Sequence, residues 1–439
     1  MRKGRPAPRG RLAAAGRDPV ILVIAAATAV GLALRLWQLS RPGYLFGVTE
    51  YDDGPYFGSA VRLVDGALPY RDFILVQPPG ITLLMVPAAL AGKVAGTAWA
   101  MAAGRILTTL ASTAGITLAG LLARHRGALA ALVACGVLAV YPDSVAGAVE
   151  SWAILPVLVV ICLSLIRTGQ AGMRRAGVFA GGVAAGFAAL VLPFAALAPG
   201  RCYDSLIVAL VGPRAGVSRV PVLARLQEMA GLSYARFPLR LGSVYLPAHT
   251  TIVLVTAALV LLTAATPALV ALASAPRAAR GLTRQARTVV AVAAAVIPGV
   301  CAAAGFAAED GLKPDVSPAV IAAAARWIPP GSCVVTDEVS LLLLADRFSA
   351  QVPGCSPVLD GLGTDLAQSG GLKPATGAGR VPAVAAVWWQ AFRHARFTWL
   401  SRLNHRRIAW TPALRGYFRS HFTRVLTDRR GDALYRRGG

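Results

Sequence analysis

The chain has 439 residues, of which 56% are hydrophobic and only 15% charged, and its mean hydropathy is +0.60. Soluble domains carry roughly 25% charged residues, so a soluble globular reading would leave too much apolar surface uncovered. The formal charge of +24 does not point to nucleic acid, because the basic residues fall in an N-terminal head and in short segments between apolar runs, the distribution that orients helices in a membrane.

Residues 1–18 form the basic head, with Arg2, Lys3, Arg5, Arg9, Arg11 and Arg17 placed on the cytoplasmic side. The run from Val20 to Leu39 is too long for a signal-peptide core and has no small-residue cleavage site after it, so it is expected to stay as an anchor. Arg35, near the outer end, is expected to snorkel beside Trp37. Residues 40–97 make a first outer loop containing a short apolar run, Ile81 to Ala91. Pro78 and Pro79 open that run, and its length suits a helix in the outer interface rather than a span.

Further spans are expected at Ala98 to Ala123, Gly127 to Tyr141, Val149 to Ile166, Ala176 to Ala198, Thr251 to Ala273 and Thr288 to Ala307, with a second outer segment from Arg201 to Pro247. This count puts the clusters at Arg124, Arg174 and Arg280 inside; counting the Ile81 run as a full span would turn them all outward, against the charge rule. The fold expected is a polytopic α-helical membrane protein of about seven to nine spans, its membrane region covering residues 19–307. A small extracytoplasmic α/β domain follows over 308–439.

In that last domain Ser317 to Trp327 patterns as a helix, Cys333 to Thr336 as a strand and Val339 to Leu344 as a helix, with strands at Phe422 to Leu426 and Ala433 to Tyr435. Asp337 and Glu338 follow a strand, and Thr336 ahead of a short helix suggests N-terminal capping there. Asp360 and Gly361 pattern as a turn. Cys333 and Cys355 both lie in the segment placed in an oxidising compartment, so a disulfide between them is expected, with Cys202 as the competing partner. No Cys/His spacing for a zinc site occurs, and a P-loop is absent.

The chemistry concentrates in the first outer loop, in Tyr51-Asp52-Asp53-Gly54-Pro55-Tyr56, then Gly66-Ala67-Leu68-Pro69-Tyr70-Arg71-Asp72-Phe73, then Gln77-Pro78-Pro79-Gly80. Acids beside a span suit a general base acting on a hydroxyl. They also suit an oxygen-ligated metal, and an acid pair before Gly-Pro equally suits a turn or a helix cap.

Together with Arg105 at the head of the second span, this order of motifs resembles the GT-C glycosyltransferases. The similarity is greatest to the branch of protein O-mannosyltransferases and lipid A aminoarabinose transferases, glycosyltransferase family 39-like enzymes of the cell envelope. The resemblance runs from about Val20 to Leu165 and extends to the rest only by architecture. It implies a multi-pass enzyme that moves a sugar from a polyprenyl-phosphate carrier to an acceptor glycan, lipid or protein on the outer face of the cell membrane. By that resemblance Asp52 is the general base with Asp53 beside it, and Glu150 is the second acid, with Asp143 as the alternative. Gln77 stands where many relatives have a cation, so Arg71 or Arg105 is considered for the donor phosphate, although each equally suits an interfacial anchor or an ion pair. No organic cofactor is implied, and dependence on a divalent metal is left open. A transporter or flippase of a lipid-linked sugar is the competing class, although the acids sit in outer loops rather than along a path through the membrane.

Overall fold

The computed structural model describes residues 18–49, 51–140, 170–208, 239–241, 244–246, 316–348, 352, 354–355, 358–368 and 382–438. The expected spans at Val149 to Ile166, Thr251 to Ala273 and Thr288 to Ala307 lie outside these residues. The described part is mostly helical with a small sheet, and three of its helices are long and apolar enough to cross a membrane. By contacts the chain divides into two compact units, residues 1–42, 108–149 and 220–313 in one and 43–107, 150–219 and 314–439 in the other.

In the first unit, helix α1 (Pro19–Leu39) starts where Asp18 accepts the Val20 N–H and Pro19 occupies the first position, which needs no N–H partner. Small residues let it pack closely. A Cβ on Gly31 would come within 3.2 Å of the Ala139 Cα, and one on Gly120 would meet the Ile24 side chain. Arg35 departs from the expected snorkelling. It is buried and donates to the carbonyls of Gly31, Leu138 and Ala139 and to the Ser112 hydroxyl. Leu138 and Ala139 end a helix, where carbonyls lack intrahelical partners, and the guanidinium satisfies them. Two short strands, β1 (Leu239–Leu241) and β2 (Val244–Leu246), pair antiparallel in the same unit.

The second unit joins the first loop to the C-terminal segment. Helix α2 (Asp53–Val64) lies against helix α3 (Gly80–Ala95), tied by a hydrogen bond between the buried Ser59 and Thr82 hydroxyls. The apolar run opened by Pro78 and Pro79 is thus a helix of 16 residues, shorter than the three candidate spans. Helix α4 (Thr97–Ala123) begins in this unit, its first turn capped by Asp346, which accepts from the Ala98 N–H and the Thr97 hydroxyl. Helices α5 (Ala128–Val140), α6 (Gln170–Leu197), α7 (Pro199–Tyr203) and α8 (Pro318–Trp327) follow along the chain.

The C-terminal segment forms a four-stranded sheet of order β3-β4-β6-β5, with β3 (Val334–Thr336), β4 (Phe397–Leu400), β5 (Phe422–Thr427) and β6 (Ala433–Arg437). The pair β3/β4 is parallel and so needs a crossover, supplied by helices α9 (Val339–Leu344), α10 (Gly361–Gln368) and α11 (Pro382–His394). Buried Trp388, Phe392, Leu414 and Phe418 cover one face of the sheet, Phe418 coming from helix α13 (Pro412–His421); the short α12 (Asn404–Arg407) precedes it.

A disulfide joins Cys333 to Cys355, while Cys202 is a buried free thiol. The bond spans 22 residues, and chain-entropy arguments give a loop of that size roughly 3 kcal/mol of stabilisation. Replacing both cysteines by Ser is therefore expected to lower the urea midpoint of the C-terminal segment, followed by tryptophan fluorescence. An unchanged midpoint would contradict this.

Candidate functional site

The acid pair of the first loop forms the start of α2. Pro55 in the first turn costs no hydrogen bond, which is why Gly54-Pro55 opens a helix here instead of closing a turn. Asp53 is the first helical residue, where the helix dipole favours its charge. Its Oδ2 accepts from the Thr49 hydroxyl and from Arg105 Nη2, each at 2.9 Å. Arg105 Nη1 also donates to the carbonyls of Tyr44 and Leu45, both at 2.8 Å, so one guanidinium fastens residues 44–53. Asp52, half-buried, is the adjacent carboxylate.

Gly54 is required by close approach. A Cβ there would fall 2.7 Å from the Ser340 backbone nitrogen, so the first loop rests directly on the start of α9. Beside this contact Tyr51 donates to Asp360 Oδ1 at 2.9 Å and accepts the Leu362 N–H. The Arg407 guanidinium lies over its ring, 4.3 Å from the centroid.

Under Tyr51 is a buried charge network that sequence reasoning missed. Glu338 Oε2 accepts from Arg407 Nη1 at 2.6 Å, and Asp337 Oδ2 lies 3.7 Å from the same nitrogen. Asp337 also accepts the backbone N–H and hydroxyl of Ser401, tying β3 to the end of β4. The expected capping role is thus corrected: Glu338 occupies the cap position of α9 without a side-chain cap bond, and the hydroxyl of Thr336 accepts the Glu338 N–H instead. Asp360 caps α10 through the Gly363 N–H. An Asp-Glu pair in sequence does not reveal that Arg407, 69 positions later, turns back on it.

Burial, with Asp337 adding repulsion, pushes the Glu338 carboxyl up to about 8 against the pull of Arg407. Burial also raises Asp337 and Asp360. A carboxyl raised in the folded state holds its proton there more tightly than in the unfolded chain. Its contribution is therefore complete below the unfolded value of 4.5 and is lost as pH rises through about 8. The urea midpoint is expected to fall between those limits, and Glu338→Gln to flatten the fall. A Gln variant with the same pH dependence as the native chain would contradict the assignment.

The second motif folds as a tight loop. Tyr70 adopts a left-handed φ of 65°, its ring sits edge-on to Phe194, and its hydroxyl donates to the Gln77 carbonyl. Arg71 is exposed and forms a two-pronged pair with Asp72 at 2.8 and 2.9 Å. Arg201 donates to the Arg71 carbonyl, and Arg62 lies over the Phe73 ring. Arg62 and Arg201 thus join Arg71 around one loop, an association with no signature in their spacing. Gln77 keeps a buried side-chain oxygen with no hydrogen-bond partner among the described residues.

Of the sequence-predicted residues, the structure brings Asp53 and Arg105 into contact, with Asp52 beside Asp53 in the chain. Arg71 and Gln77 stand on the following loop, and Asp143 and Glu150 lie outside the described residues. Among the described residues no group of His, Cys, Asp or Glu is arranged to hold a metal. Comparison with family models, with curated proteins and with solved structures finds no match for this chain.

Proposed function

We propose that the chain is a membrane glycosyltransferase of the GT-C type, drawing its sugar from a polyprenyl-phosphate carrier on the outer face of the cytoplasmic membrane. The proposal includes about seven spans, with the first loop and the C-terminal domain outside, supported by the parity of the basic loops. The observation that carries it is the anchoring of the first loop: Arg105 and Thr49 hold Asp53, and with it the half-buried Asp52 next in the chain, which in this reading serves as the base.

In this reading Asp52 takes the proton of the acceptor hydroxyl as its oxygen bonds to the anomeric carbon. The bond from that carbon to the phosphate oxygen breaks, and polyprenyl phosphate leaves with the electron pair. Arg105, which donates to the Tyr44 and Leu45 carbonyls, the Thr49 hydroxyl and Asp53, acts as a positioning residue, so Arg71 and the neighbouring Arg62 and Arg201 are the cations offered to the departing phosphate. A transporter would move the labelled lipid between leaflets unchanged. Purified chain in proteoliposomes is expected instead to consume a radiolabelled polyprenyl-phosphate sugar and release polyprenyl phosphate; intact donor that has only changed leaflet would overturn the proposal.

A further inference from the structure

A second candidate site lies within the C-terminal domain. Helix α13, the edge of β5 and the segment after β4 enclose a cleft of about 670 Å³, within the range of small-molecule sites. Its base is aromatic. Trp410 stacks on Phe392 at 5.6 Å and is oriented by donating its indole N–H to Asn404. Phe418 stacks on Phe422 at 4.8 Å and meets Tyr435 edge-on at 5.0 Å. Phe418 and Phe422 are buried, whereas Trp410 and Tyr435 keep part of their surface open.

The rim is cationic. Arg415 and Arg419, one helical turn apart on α13, and Arg424 on β5 all line the cleft and are exposed. Among the described residues none of the three pairs with a carboxylate, and the cleft has no Asp or Glu in its lining. Like charges one turn apart disfavour a helix, so the pair does not serve the fold. The surroundings do not neutralise it either. From Pro382 to Gly439 the sequence has twelve Arg, no Lys or Glu, and two Asp. Those two are engaged locally, Asp428 by the N–H groups of Arg430 and Asp432, and Asp432 by that of Arg402.

An aromatic floor offers its face to the C–H side of a ring, and unpaired guanidinium groups select an anion by paired N–H bonds. We propose that this cleft binds an anionic saccharide, a sugar carrying a phosphate or carboxylate group, with Arg415 and Arg419 on the anion and Trp410 and Tyr435 against the ring. This inference does not depend on the transfer reaction, since Asp52 takes no part in it.

The test is calorimetric titration of the full-length chain in neutral detergent with glucose 1-phosphate, glucose, inorganic phosphate and short-chain phosphatidylglycerol below its micellar concentration. Glucose 1-phosphate is expected to bind more tightly than the other three. Its affinity should fall roughly tenfold or more in Arg415→Gln/Arg419→Gln and stay unchanged in Asp52→Asn. Both arginines are exposed, so a native circular dichroism spectrum and urea midpoint will show that the double variant folds. No binding of glucose 1-phosphate, equal binding of glucose, or full affinity in the double variant would overturn the proposal. Phosphate or phosphatidylglycerol binding as tightly would also overturn it, reassigning the cleft to a bare anion or a lipid headgroup.

Discussion

Asp52→Asn is expected to reduce sugar transfer by roughly 10²- to 10⁴-fold, the usual contribution of a positioned general base, while the chain still inserts and folds. The substitution keeps the shape of the side chain and removes its ability to take a proton. Asp53 is poorly placed to replace it, because its Oδ2 already accepts from Thr49 and Arg105. Asp53→Asn should act differently. It weakens the grip of Arg105 on residues 44–53, so loss of activity should come with loss of thermal stability. Initial rates in proteoliposomes, read beside melting curves, separate the two. Full activity in Asp52→Asn would refute the assignment, and an inactive but fully stable Asp53→Asn would move the base by one residue.

Above pH about 8, where Glu338 is ionised in the folded chain, Arg407→Met is expected to destabilise the C-terminal segment by about 3–5 kcal/mol, the range for removing one partner of a buried ion pair. Its side chain is 10% exposed and faces Glu338 and Asp337, exposed by 4% and 0%. Without the guanidinium both acids are left buried without their cation, and Tyr51 loses the charge above its ring. The double variant Arg407→Met/Glu338→Gln should recover much of the loss, since it removes a charge along with its partner. Urea midpoints of the four chains complete the cycle. A single Arg407→Met variant within about 0.5 kcal/mol of the native chain, the size of an ordinary surface change, would contradict the network.

The readable parts of the sequence were those whose information is local. The apolar runs read from Val20, Ala98 and Ala176 and the strand-helix pair around Val334 and Val339 carry their own local pattern, and the structure starts its helices at Pro19, Thr97 and Gln170 and forms the strand and helix as read to within a residue. Asp52 and Asp53 were legible as candidates only through the order of motifs in the first loop, since an acid pair before Gly-Pro by itself equally suits a turn or a helix cap. What stayed hidden depended on distance along the chain. Helix α2 was masked by Gly54-Pro55, which marks a turn as readily as a helix start. Strand β4 is four residues long, and its place in the sheet comes from pairing with β3 and β6 rather than from its composition. Arg35 reads as a snorkelling residue because nothing near it in sequence shows that the carbonyls of Leu138 and Ala139 need a donor. Likewise the contacts of Tyr51 with Asp360 and Arg407 join positions more than three hundred residues apart, beyond any local pattern.

The central claim is that an acceptor oxygen, freed of its proton by Asp52, displaces polyprenyl phosphate directly from the anomeric carbon. Nuclear magnetic resonance of the glycoside formed from a donor of known anomeric configuration tests this in one measurement. Direct displacement predicts a product of inverted configuration, released together with polyprenyl phosphate. A product of retained configuration, or a donor recovered intact, would contradict the account.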